Sequence, residues 1–124
     1  MLVTGESDIP PITKLFDYDD DSEQIFLESI KQVKNKLAKN MMINFNEAIL
    51  LYFAYVVSEI RDNKSKDQIE KTASRILSPQ NVMIGVAESI RKINFEASID
   101  KKSKINITFD QPIPITDHLL IPKN

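Results

Sequence analysis

Four acidic side chains are spaced as a calcium loop would space them. Asp17, Asp19, Asp21 and Glu28 fall at positions 1, 3, 5 and 12 of an EF-hand frame, where that loop supplies its oxygen ligands. The frame breaks at position 6, which needs glycine for the sharp turn and here is Ser22. Pro10 and Pro11 also argue against a long incoming helix. The cluster therefore reads as the acidic start of a helix, whose dipole it complements. His118 is the only histidine and sits beside Asp117 in a proline-flanked tail. A catalytic histidine needs an orienting partner and a walled pocket, and the sequence around His118 supplies neither. Glu59, Arg61 and Asp62 are accounted for by helix-end charge pairing. The only glycines are Gly5 and Gly85, so no glycine-rich phosphate loop is present. Met41, Met42 and Met83 are gap fillers or adaptable contact residues.

The elements that position these residues are organised around Ile43 to Arg61. Asn44 and Glu47 are spaced as a capping box, and Ala48 to Val57 then runs without a charge. A helix apolar on nearly every side is buried or spans a membrane. This uncharged run is too short to span, since crossing takes about twenty apolar residues. The expectation is a central helix covered on several sides, in part by a neighbouring chain.

Around it the pattern predicts an earlier helix from Ser22 to about Lys39, with Phe26, Ile30, Val33 and Leu37 on one stripe. Asn63 follows the central helix as a left-handed C-cap. Ser65 with Gln68 caps a third helix carrying Ile69, Ala73, Ile76 and Leu77, and Ser78-Pro79 starts a short fourth one that Gly85 ends or bends. At Ile93 the period changes to two: Ile93, Phe95, Ala97 and Ile99, then Ile105, Ile107 and Phe109, alternate with polar residues about an Asp100–Ser103 turn. The fold class is therefore α+β, a bundle of about four helices followed by a C-terminal two-stranded antiparallel β-hairpin. Residues 1–20 show no period and are expected to be an extended acidic arm, 21–113 the domain, and 114–124 a tail.

Composition bounds the function. The chain has 124 residues, 42% hydrophobic, enough for one ordinary domain. It has no cysteine, which removes disulfides and thiolate metal sites and fits a reducing cytoplasm. The N-terminus carries no basic start ahead of an apolar segment, so neither a signal peptide nor a membrane span is expected. Net charge is -2, which argues against a strong nucleic-acid binder. The charge is uneven: residues 1–30 hold eight acids and one base, Lys14.

Taken in order, Asn44-Phe45-Asn46-Glu47-Ala48, Arg61-Asp62-Asn63-Lys64-Ser65, Leu77 to Val86 (LSPQNVMIGV), Phe95-Glu96-Ala97 and Pro112-Ile113 resemble the gamma subunit of urease, over about Ser22 to Ile113. Asn46 stands for that family's usual proline, Asn63 for its glycine, Ile84 for a glutamate and Ala87 for a proline. The resemblance implies a small structural subunit of a nickel-dependent enzyme that hydrolyses urea to ammonia and carbamate. It implies that the nickel ions and catalytic groups belong to the large alpha subunit. It also implies packing with beta and alpha chains, three such units joining about a threefold axis. No catalytic, cofactor or metal residue is then expected on this chain, and Tyr52, Tyr55, Met83 and Phe95 are its candidate subunit-interface residues.

Two other readings compete. Helix, turn, short helix and hairpin from Ser65 to Phe109 imitate a winged-helix DNA-binding module, whose recognition helix would offer only Gln80 and Asn81 to base edges. A freestanding helical adaptor that takes a partner strand at a hairpin edge is the other.

Overall fold

The computed structural model describes residues 2–7, 12–18, 23–98 and 104–115. In chain order these form β1 (Leu2–Ser7), β2 (Ile12–Tyr18), α1 (Glu23–Ala38), α2 (Phe45–Arg61), α3 (Lys66–Lys71), α4 (Val86–Ser89), β3 (Lys92–Ser98) and β4 (Lys104–Asp110). Four helices followed by an antiparallel β3–β4 hairpin make the α+β arrangement that the periodicity predicts.

The helix boundaries follow local chemistry. At the start of α2 the Glu47 N–H donates to Asn44 Oδ1 at 2.9 Å and the Asn44 N–H donates to Glu47 Oε1 at 2.9 Å. Each side chain thus satisfies a backbone donor that a helix start leaves unpaired. Ser65 and Gln68 close the same box on α3, at 3.2 and 2.9 Å. Both long helices end alike. Asn40 (φ 59°) and Asn63 (φ 60°) adopt the left-handed conformation. The Met41 N–H then reaches Lys36 O at 2.9 Å, and the Lys64 N–H reaches Glu59 O at 3.0 Å. These bonds satisfy carbonyls the helix ends would leave open. The third helix is shorter than its apolar stripe: α3 stops at Lys71, and a 3-10 turn at Ala73–Arg75 carries the chain on. Ser78-Pro79 starts only another 3-10 turn, Pro79–Asn81, before Gly85 (φ 91°) opens α4. The winged-helix reading needs a recognition helix there, and a three-residue turn is not one.

The largest addition is at the N-terminus. Residues 1–20, expected as an extended acidic arm, contain strands β1 and β2. These form an antiparallel hairpin, and β1 pairs along β3, giving one four-stranded sheet in the order β2-β1-β3-β4. Ile93, Phe95 and Ala97 of β3 and Ile107 and Phe109 of β4 are buried on one face, against α2. Phe53 meets Phe95 edge-to-face at 5.1 Å, Phe95 meets Phe109 at 5.3 Å, and Tyr52 meets Phe109 at 5.7 Å. Such edge-to-face pairs place the positive ring edge on the negative face of the neighbour. Helix α1 completes the core with Phe26, Ile30 and Val33. Ile99, the Asp100–Ser103 turn and the tail from residue 116 lie outside the described residues.

Candidate assembly surface

The four candidate interface residues separate into two environments. Tyr52 and Phe95 are 0% and 1% exposed, enclosed by the chain's own helix and sheet. Their aromatic surface serves this domain's core, so substitution there disrupts folding before it can report on assembly. The Tyr52 hydroxyl has no hydrogen-bond partner among the described residues, and burial pushes its ionisation well above the usual tyrosine range. Tyr55, three residues on, is half-buried; its hydroxyl pairs with Thr72 Oγ1 and reaches Glu59 Oε1 at 3.4 Å.

Met83 is different, being 45% exposed, and it is not alone. Met41, Met42 and Ile84 are exposed by 50%, 51% and 102%. The backbone joins the two segments that carry them. The Ile43 N–H donates to Asn81 O at 2.9 Å, and the Met83 N–H donates to Ile43 O at 2.9 Å, a parallel bridge between two segments far apart in sequence. Ile43 and Val82, at the centre of the bridge, are buried. Two core anchors therefore hold four apolar side chains out in solvent, at the N-terminal end of α2. Clustered exposed apolar surface of this kind marks contact sites more than scattered single residues do. The sequence places Met83 among the interface candidates and Met41 and Met42 only among gap fillers or adaptable contacts, and it gives no sign of Ile84, because the bridge between residues 43 and 82 is a non-local contact.

A second apolar feature lies between α1 and α2. Phe26, Leu27, Ile30, Ala54 and Val57 line a cleft of about 300 Å³ together with Lys34, Ser58, Arg61 and Asp62.

The remaining chemistry-bearing residues do not converge. Asp17 lies in strand β2 and Glu28 is exposed on α1, while Asp19 and Asp21 are outside the described residues, as is His118. Among the described residues no three His, Cys, Asp or Glu side chains come together as a metal site. With one histidine and no cysteine in the whole chain, the donor set does not fit a nickel pair held in imidazole or thiolate ligands. Glu59 and Asp62 take part in side-chain and helix-end bonding on α2. No helix among the described residues is long and apolar enough to cross a membrane.

Comparison with known proteins addresses the same span. The family model described as "Urease, gamma subunit" matches residues 18–113. A curated relative, the urease subunit gamma of Halalkalibacterium halodurans, is 29% identical over 94 residues, covering 75% of this chain and 93% of that protein. The match takes in both long helices, the bridge that carries the apolar patch and the β3–β4 hairpin, and the chain belongs to the urease gamma-subunit family.

Proposed function

We propose that this chain is a non-catalytic structural subunit of a cytoplasmic urease, packing with beta and nickel-bearing alpha chains that together hydrolyse urea to ammonia and carbamate. Its part is to bind and position its companions, three such units forming the assembly. The family match over residues 18–113 carries this reading. The apolar patch at Met41, Met42, Met83 and Ile84 supports it, because a backbone already anchored by Ile43 and Val82 loses little freedom on binding. Of the four interface candidates, Met83 lies in this patch and Tyr55 borders solvent in part. Tyr52 and Phe95 contribute through the core that holds α2 rigid.

The test is co-expression with the neighbouring alpha and beta chains, using an affinity tag on this one. The expected outcome is co-purification of both, with nickel and urea hydrolysis in the eluate. Recovery of this chain alone, without either companion or any activity, would overturn the reading.

A further inference from the structure

We propose that the outer edge of β3 is a strand-pairing surface for a second copy of this chain, and that the N-terminal hairpin is its built-in cover. The argument starts with the directions of backbone groups. Lys66 Nζ donates to Asn106 O at 2.8 Å, and the Thr108 N–H donates to Glu70 Oε2 at 2.7 Å. In β4 these two residues thus turn their hydrogen-bonding groups toward α3, away from β3, and side chains of α3 block that edge. Because successive residues in an antiparallel ladder alternate sides, Ile105, Ile107 and Phe109 bond to β3. Their partners Ala97, Phe95 and Ile93 therefore bond to β4. The N–H and C=O groups of Asn94, Glu96 and Ser98 then point the other way, where Glu6, Thr4 and Leu2 of β1 stand opposite them.

Without β1 these groups would form an open edge, and buried or paired backbone is the rule elsewhere in the fold. The far side of the hairpin is built differently. Between the pairs Gly5–Phe16 and Ser7–Ile12, Thr13, Lys14 and Leu15 of β2 oppose Glu6 alone. A bulge and a lysine in an edge strand are devices that discourage further pairing. The hairpin thus ends the sheet. It also lies outside the family-matched span, apart from its last residue, Tyr18.

What it covers is self-complementary. In a twofold antiparallel pairing centred on Asn94, Lys92 of each copy lies opposite Glu96 of the other, twice over, and Ile93 lies opposite Phe95. Asn94 meets Asn94 with both outward backbone groups facing, as a bonded pair requires. Opposite charges directly across strands favour this register, and a twofold contact of one patch with itself closes at a dimer.

The experiment uses the full chain with Thr4→Pro and Glu6→Pro together, which removes the two β1 N–H donors facing Glu96 and Asn94. Mass is read by analytical ultracentrifugation, and amide exchange is read at Asn94, Glu96 and Ser98. The wild type is expected as a monomer with slow exchange at these three amides, and the proline variant at twice that mass. Adding Lys92→Glu should return the proline variant to the monomer, and adding Glu96→Lys as well should restore the dimer. A proline variant that keeps its helical circular dichroism yet stays monomeric overturns the proposal, whatever its exchange rates. So does a dimer indifferent to Lys92→Glu, a wild type already paired, or a proline variant that unfolds, since the hairpin would then be core rather than cover.

Discussion

Glu47 does three things at once at the start of α2. It closes the capping box with Asn44, meets Lys36 Nζ at 2.5 Å, and so ties α1 to α2 across the residues between them. Partial burial works to raise its pKa, but the Lys36 ammonium and the Asn44 N–H together outweigh this and hold the carboxyl below its ordinary value. A carboxyl whose pKa is lowered by folding adds stability that is fully present above its unfolded value of 4.5. That stability is lost as pH falls through the lower folded value. Glu47→Gln keeps an oxygen for the Asn44 N–H but removes the charge. At neutral pH it is expected to cost about 0.5–1 kcal/mol, since the pair is partly exposed. Thermal melts of the two proteins at pH 7 and pH 3 check this. The gap should narrow in acid, and a gap of equal size at both values would show that the ion pair contributes nothing.

Elements whose signals are local were legible in the sequence. The boxes at Asn44/Glu47 and Ser65/Gln68, the left-handed Asn63 and the alternation of β3 and β4 each depend on residues a few positions apart, and each appears in the fold. The N-terminal hairpin was not legible. Gly5, Pro10 and Pro11 break any period in residues 1–20, and β1 gains its partner across about ninety positions, at β3. The same limit applies to Tyr52 and Phe95: an all-round apolar helix looks as if it needs another chain when the strands that cover it are distant in sequence, and both side chains are buried within this chain's own helix and sheet. Met83 was visible as a contact candidate, whereas the patch around it needed the Ile43–Val82 bridge. Asn63 gives the element-scale test. A β-branched residue pays a steric penalty at positive φ that asparagine largely avoids. Asn63→Val is therefore expected to destabilise the chain by about 1–2 kcal/mol, and Asn63→Gly to match or exceed the parent in urea titrations followed by circular dichroism. Equal midpoints for valine and glycine would mean that the turn after α2 does not hold this conformation in solution.

At the scale of the whole molecule, the question is which exposed apolar surface serves assembly. Among the described residues two candidates stand out: the patch of Met41, Met42, Met83 and Ile84, and the α1–α2 cleft flanked by Leu27, which is 53% exposed. Both lie in the family-matched span, so the match does not choose between them. Construction does. The cleft is lined by residues such as Phe26, Ile30 and Val57 that are already buried in the domain, and Lys34, Arg61 and Asp62 share its lining. The patch flanks two buried anchors with three half-exposed methionines, and at Ile84 it carries an aliphatic side chain with 102% exposure, which gains nothing from the isolated fold. Ile84→Asp should therefore leave the isolated chain's stability within about 0.5 kcal/mol. Its recovery of companion chains in the tagged pull-down should nevertheless fall at least tenfold, because a carboxylate would be stripped of water at an apolar contact. Leu27→Asp, at a residue 53% exposed, should leave recovery within twofold. The reverse pattern would move the interface to the cleft, and loss from neither would place the contact on surfaces that are polar in the free subunit.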